Sequence, residues 1–326
     1  MISNGRSTKA SGYLSRTGNQ LQNAGVATVI FDRIEANPLK STVMAGASFA
    51  RENGCDFIVA LGGGVVGDVA GFVAATYMRG CKFVQIPTSL LAMVDSSVGG
   101  KTAIDLAAGK NLAGAFWQPS VVIAAVGCLA TLPPEQFADG CGEVVKHAVI
   151  ADPELFAELE KTPLTLELLN RDVARVALII ARNIDIKRAV VVADERETNQ
   201  RKLLNFGHSA GHAVEACEHF ELGHGNCVSI GMGIITRAAA LRGVCDAALP
   251  GRIEELCARH GLKTRCDLDA DAVFAEALHD KKRAGDTIDL VIPHGIGRCS
   301  IDRTPLSTFH ELIAEGLGQK GDASAC

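Results

Sequence analysis

A chain of 326 residues is long for one hydrophobic core, so two packed domains are expected. Hydrophobic residues make up 48% and charged residues 21%, no apolar run is long enough to cross a bilayer and no cationic-then-apolar leader follows Met1, which excludes a membrane role and points to the cytoplasm. A formal net charge of −5, with two Tyr and one Trp to stack on bases, excludes nucleic acid as a partner, and eleven cysteines without a Cys-x-x-Cys pair fit neither a disulfide framework nor a zinc ribbon.

In chain order, short apolar runs first alternate with helical patterns, the signature of parallel strands joined by crossover helices. Val26–Phe31, Phe57–Leu61, Phe83–Ile86 and Val121–Ala125 are the expected strands. After Pro133 and Pro134 longer amphipathic segments follow: Glu135–Ile150, Asp172–Val192, Ser209–Glu218, Cys227–Leu241, Gly251–Arg259 and Asp271–Asp280, with Leu290–Pro293 as the one late strand. The expected fold class is α/β. A Rossmann-like parallel-sheet domain spans residues 1–130 and a mostly α-helical domain residues 131–326, with the boundary in the Thr131-Leu-Pro-Pro134 connection.

Three constellations suggest chemistry. Ile58–Leu61, Gly62-Gly-Gly-Val-Val-Gly-Asp68 and the helical Val69–Ala75 read as strand, glycine turn and helix. Glycines let a backbone approach an anion, and the following helix offers free N–H groups, so a dinucleotide pyrophosphate is a plausible ligand; a tight, closely packed turn would use the same residues. Next, Pro87-Thr-Ser-Leu90 ends a strand, and Asp95-Ser-Ser-Val-Gly-Gly-Lys101 follows, continued by Gly109-Lys-Asn111. Lys101 and Lys110, each after a glycine, read as flanking a single anion loop, or as ordinary solvated lysines. Third, His208 and His212 share one helix face at i and i+4, and Glu143 and His224 supply further donors, giving a Glu/His/His set with His212 spare. Such ligands suit Zn²⁺ or a similar cation with a position left open; a structural histidine pair and a solvated Glu143–Lys146 pair are the plainer alternatives.

From Gly62 to Arg298 the chain resembles the 3-dehydroquinate synthases, sugar phosphate cyclases of the shikimate pathway. The resemblance rests on Gly62–Asp68, Gln85–Ser89, Val94–Ala103, Gly109–Asn111, Gly142–Lys146, Ala193–Glu197, Leu204–His208 and Asp280–Lys282. It implies NAD and one divalent metal, Zn²⁺ or Co²⁺, held by Glu143, His208 and His224. It implies that Gly63, Gly64, Val65, Val66, Gly67 and Asp68 hold NAD, with Thr88, Ser89 and Lys110 nearby. Lys101, Asn111, Asn205 and His212 would take the substrate phosphate, joined by Lys281 or Lys282 and by Arg79 of a neighbouring subunit in a homodimer. Asp95, Lys146 and Lys187 would contact substrate hydroxyls, and Arg201 the carboxylate. The implied reaction takes 3-deoxy-D-arabino-heptulosonate 7-phosphate, an acidic sugar phosphate, to 3-dehydroquinate and phosphate. It runs by transient oxidation at C5, phosphate elimination, re-reduction and intramolecular aldol closure, a lyase step of aromatic amino acid biosynthesis.

Upstream of Gly62 the chain instead resembles iron-dependent alcohol dehydrogenases, a cousin of the same architecture. Asn37 stands where the synthases have Glu in a Gly-Glu-x-x-Lys step, with Lys40 in register, and Met1–Gly12 is expected to hold no strand, leaving the sheet without its first. Asn226 replaces a common family Glu. The alternative readings are another sugar phosphate cyclase, an NAD- and metal-dependent polyol or alcohol dehydrogenase, and a non-catalytic degenerate paralogue.

Overall fold

The computed structural model describes residues 1–106, 109–278 and 283–319. The chain folds into two compact units, Met1–Pro133 with Asp172–Ile180, and Pro134–Arg171 with the chain from Ala181 onward. The first contains β1 (Ile2–Asn4), α1 (Arg6–Ala10), α2 (Tyr13–Asn23), β2 (Ile30–Phe31), α3 (Lys40–Glu52), β3 (Phe57–Gly62), α4 (Gly64–Thr76), β4 (Lys82–Pro87), β5 (Lys101–Leu106), β6 (Gly109–Phe116) and β7 (Val121–Val122). A parallel sheet runs in the order β2-β1-β3-β4-β7. β3 is apolar without interruption because both its faces are covered: Ile58 and Ala60 join Phe83, Val69 and Val73 in one cluster, while Leu61 joins Ile2 and Leu14 in another.

Two expectations are corrected by the structure. The sheet does not lack its first strand: β1 lies between β2 and β3, with Ile2 opposite both Ile30 and Val59. Three residues are too few to show an alternation, but Met1 and Ile2 are buried and hold the strand in place. Nor is Asp95–Asn111 a single loop. Ala92–Ser96 is a π-helical turn, and β5 and β6 form an antiparallel hairpin in which Lys101 pairs with Phe116 and Leu106 with Gly109. The two Gly-Lys steps therefore belong to opposite ends of a hairpin. The strands expected over 26–31 and 121–125 shorten to Ile30–Phe31 and Val121–Val122.

The second unit is built from α5 (Pro134–Ala151), α6 (Pro153–Lys161), α7 (Leu166–Arg171), α8 (Val173–Ala193, whose first residues count with the other unit), α9 (His208–Cys217), α10 (His224–Leu241), α11 (Leu249–Arg259) and α12 (Ala270–Ala277). Then come β8 (Arg283–Ala284), β9 (Thr287–Gly295), β10 (Arg298–Pro305) and α13 (Leu306–Leu317). The expected strand Leu290–Pro293 is the middle of β9, and β10 is its unforeseen antiparallel partner. Arg298, Asp302 and Arg303 on β10 suit a sheet edge and mask its period in the sequence.

α10 approaches both α5 and α9 more closely than side chains allow. A Cβ on Gly142 of α5 would stand 2.6 Å from the Gly225 carbonyl, and one on Gly225 1.8 Å from that of Asp139. On the other side a Cβ on Gly231 would stand 2.0 Å from the Gly207 carbonyl, and one on Gly211 2.7 Å from that of Cys227. These obstacles are backbone and cannot swing aside. After α8, Asp194 folds the next turn by accepting the backbone N–H groups of Thr198 (3.0 Å), Asn199 (2.7 Å) and Arg201 (3.0 Å). Desolvation raises the Asp194 carboxyl, but these hydrogen bonds outweigh it and hold the group at about 2.

Gly225→Ala should lower stability by about 1–3 kcal/mol or more, read from the denaturant midpoint, through overpacking. The control Gly251→Ala, at an exposed position of α11 where a Cβ meets nothing within 4 Å, should be neutral or stabilising. The Asp194 contribution has a sign set by its lowered value: it is complete above the ordinary 3.8 and disappears as pH falls through about 2. Melting temperatures of the wild type should therefore fall through that window more steeply than those of Asp194→Asn; parallel curves would contradict the assignment.

Candidate active site

Glu143 of α5 is fully buried, and its two oxygens face different partners. Oε2 pairs with Lys146 Nζ, one turn along the helix. Oε1 lies 3.5 Å from His208 Nε2 and 3.5 Å from His224 Nε2. The two histidines open α9 and α10, which the glycine crossings bring together against α5. His208 Nδ1–H donates to the Phe206 carbonyl at 3.1 Å, which leaves the Nε2 lone pair on the side of Glu143. A cation with ligand bonds of about 2.1 Å at tetrahedral angles holds its donors about 3.4 Å apart, so the carboxylate and imidazole spacing fits one divalent ion. The donor chemistry, one carboxylate oxygen and two imidazole nitrogens, suits Zn²⁺ or Co²⁺ and leaves a coordination position free.

A second, overlapping set exists. The donor atoms of His208, His212 and His224 lie within 4.8 Å of one another, with the His212 ring centroid 5.2 Å from that of His208 and 5.8 Å from that of His224. The Glu143 set includes a fully buried carboxylate, whereas His212 is exposed. Burial disfavours a charged His224, but Glu143 and Glu215 outweigh it and raise the imidazole to about 10.

Among the described residues, the buried Asp, Glu, Lys and Arg side chains are Glu143, Lys146, Lys187 and Arg201. Lys187 projects from α8. Arg201 and Asn205 sit in the 3₁₀ turn Gln200–Asn205, where Arg201 donates to the Glu195 carbonyl and Asn205 Nδ2 to Glu197 Oε1 at 2.7 Å. Lys202 between them reaches Asp289 of β9 at 2.7 Å and ties this turn to the small sheet.

In the first unit the glycine turn joins β3 to α4. Gly63 precedes the helix in an extended conformation, and α4 carries neither a side-chain cap nor an acidic residue in its first turn, an electrostatic end suited to an anion. A Cβ on Gly64 would stand 3.1 Å from Ser96 Oγ, and one on Gly63 3.5 Å from Ser89 Oγ. Thr88 N–H donates to the Gly62 carbonyl at 2.9 Å, so Thr88 and Ser89 adjoin the turn. Val65 is exposed, Val66 packs beneath Gly62, and a Cβ on Gly67 would meet Gln85 Oε1 at 2.9 Å. Asp68 is partly buried on α4 and Asp95 partly buried in the π turn. Lys101 and Asn111 are exposed on the hairpin, Asn111 with φ 54° and its N–H on Asp105 Oδ1 at 2.9 Å. Arg79 is exposed within a left-handed run, with φ 50° at Met78, 65° at Arg79 and 121° at Gly80. Lys281, Lys282 and the Lys110 side chain lie outside the described residues.

Sequence reasoning passed over two features. Glu215 Oε2 lies 3.5 Å from His224 Nδ1, and the spacing of His208, His212 and Glu215 by four and three residues was the available signal. Asp139 Oδ1 accepts the Asn226 N–H at 3.1 Å and lies 3.4 Å from its side-chain nitrogen, while Asn226 Oδ1 accepts the Lys263 N–H at 2.9 Å. Burial raises the Asp139 carboxyl, and a Glu in place of Asn226 would set a second carboxylate beside it.

Comparison with known proteins places the chain. The family profile described as 3-dehydroquinate synthase N-terminal matches residues 35–139, and that described as 3-dehydroquinate synthase C-terminal matches residues 140–283. A 3-dehydroquinate synthase of Streptococcus suis (strain 05ZYH33) is 41% identical over 308 residues, covering 92% of this chain and 86% of its own length. One of Clostridium perfringens (strain 13 / Type A) is 43% identical over 256 residues, 78% of this chain and 72% of its own. Among solved structures, 2-epi-5-epi-valiolone synthase from Streptomyces hygroscopicus subsp. jinggangensis 5008, with NAD⁺ and Zn²⁺ bound, matches with a TM-score of 0.87 at 25% identity over 97% of this chain and 90% of that one. A 2-deoxy-scyllo-inosose synthase complexed with carbaglucose-6-phosphate, NAD⁺ and Co²⁺ matches at 0.82 with the same identity and coverage. An iron-containing alcohol dehydrogenase, at 0.62 and 16% identity over 98% of this chain and 92% of that one, shares the fold. Matched by both profiles and by relatives along most of its length, the chain belongs to the 3-dehydroquinate synthase family.

Proposed function

We propose that this protein converts 3-deoxy-D-arabino-heptulosonate 7-phosphate to 3-dehydroquinate and inorganic phosphate, with NAD and a divalent metal as cofactors. The observation that carries the proposal is the carboxylate of Glu143, 3.5 Å from two imidazoles, in a unit whose other buried ionic side chains are cations: Lys146, Lys187 and Arg201. Lysine and arginine side chains are seldom buried, and three in one interior suit the recognition of an anionic ligand. An acidic sugar phosphate gives them a purpose.

Bound NAD would supply reversible hydride transfer at C5, and Glu143, His208 and His224 would hold a cation that supplies Lewis-acid polarisation of the oxygen there. The chain's own groups do the rest. Arg201, with its planar fork, takes the substrate carboxylate. Lys146, Lys187 and Asp95 orient the hydroxyls, so that the C6 proton and the departing C7 phosphate are held in one geometry. Lys101, Asn111, Asn205 and His212 bind the phosphate and stabilise charge as it leaves. Gly63, Gly64 and Asp68, with Thr88 and Ser89, cradle NAD at the start of α4.

We further infer a cytoplasmic homodimer. No helix of the described residues is long and apolar enough to cross a membrane. Arg79 is exposed, and it and Met78 are two successive non-glycine residues at positive φ, a backbone strain that favours a functional use such as contact with a neighbouring copy.

The test is phosphate release by the full chain. With NAD and Zn²⁺ or Co²⁺, the heptulosonate phosphate should release phosphate without net NADH; chelation should abolish release and added metal restore it. Sedoheptulose 7-phosphate, which lacks the carboxylate, should be slower by about 10- to 100-fold in kcat/KM, the worth of one charged hydrogen-bonded contact. No release from metal-loaded, NAD-saturated protein would refute the proposal, and a preference for the sugar phosphate without a carboxylate would transfer it to another cyclase activity.

A further inference from the structure

His224 is held twice. Its backbone, at the first residue of α10, is fixed where Asp139 accepts the Asn226 N–H and where Gly225 leaves no room for a Cβ against the Asp139 carbonyl. Its ring stands between two carboxylates: Nε2 is 3.5 Å from Glu143 Oε1, and Nδ1 is 3.5 Å from Glu215 Oε2. Glu215 lies on α9 seven residues after His208 and three after His212, on the same face of the helix. Its side chain is 16% exposed, so the contact is partly shielded from water.

A neutral imidazole has one donor and one acceptor nitrogen. A ring that gives its Nε2 lone pair to a cation therefore keeps its proton on Nδ1, and in His224 that proton faces Glu215. His208 has the same arrangement with a different acceptor, since its Nδ1–H meets the Phe206 carbonyl at 3.1 Å. We propose that Glu215 is a positioning residue of the metal site. It fixes the tautomer and rotation of His224 and strengthens Nε2 as a donor, while its own carboxylate, on the far nitrogen of the ring from Glu143, stays off the cation. The inference rests on the reading of Glu143, His208 and His224 as the metal ligands.

The experiment titrates Co²⁺ alone into chelator-stripped full-length protein, following the visible absorption of the bound ion, for the wild type, Glu215→Ala, Glu215→Gln and His224→Ala, with thermal melting to confirm the fold. Glu215→Ala should bind Co²⁺ about 10- to 100-fold more weakly with a band of wild-type shape. Glu215→Gln, whose amide oxygen can accept the same N–H, should recover most of that loss. Wild-type affinity in Glu215→Ala beside weak binding in His224→Ala would overturn the inference alone. So would a folded Glu215→Gln no tighter than Glu215→Ala, or a band in Glu215→Ala that reports a changed ligand number, which would make Glu215 a ligand. Wild-type affinity in His224→Ala would overturn the ligand set, and the inference with it.

Discussion

The close passage of α10 over α5 and α9 is the constraint on which the site depends. Glu143 follows Gly142, His208 follows Gly207 and His224 precedes Gly225, and each of these glycines lies at or beside a contact in which helices approach through backbone alone. Donor atoms on short side chains can meet at 3.5 Å only if their helices are that near. The spacing is thus a property of the crossings more than of rotamers, and it is fixed by interior packing that also stabilises the second unit. A cation would enter a geometry prepared by folding.

The charges at this place follow from the same logic. Glu143 is shared between Lys146 and two imidazoles, and the carboxylates of Glu143 and Glu215 outweigh burial in raising His224 to about 10. Lys187 and Arg201 are further interior cations of the same unit. The turn that carries Arg201 is fastened at its start by Asp194 to the Arg201 amide and by Lys202 to Asp289, and at its end by Asn205 to Glu197, so the backbone at Arg201 is fixed by local structure.

Much of this was legible in the sequence because chemistry demands particular residue types at particular spacings. The Gly62–Asp68 turn, the imidazoles at 208 and 212, and Glu143 beside Gly142 all stand out from a packing pattern. What escaped was decided by length or by long-range contact. β1 has three residues, and its place between β2 and β3 depends on partners 28 or more residues away. The β5–β6 hairpin was hidden by glycines that read as loop, although a Cβ on Gly114 would stand 1.9 Å from the Thr102 carbonyl and the residue is needed for the pairing. Glu215 looked like any glutamate on a helix, since only the approach of α10 brings His224 to it.

The most direct test of the metal assignment is X-ray absorption spectroscopy of the Co²⁺- or Zn²⁺-loaded protein. Ligation by Glu143, His208 and His224 predicts oxygen and nitrogen donors at about 2.0–2.2 Å with the outer-shell scattering of two imidazoles. Scattering from three imidazoles would contradict it, because His212 would then occupy the coordination position assigned to Glu143.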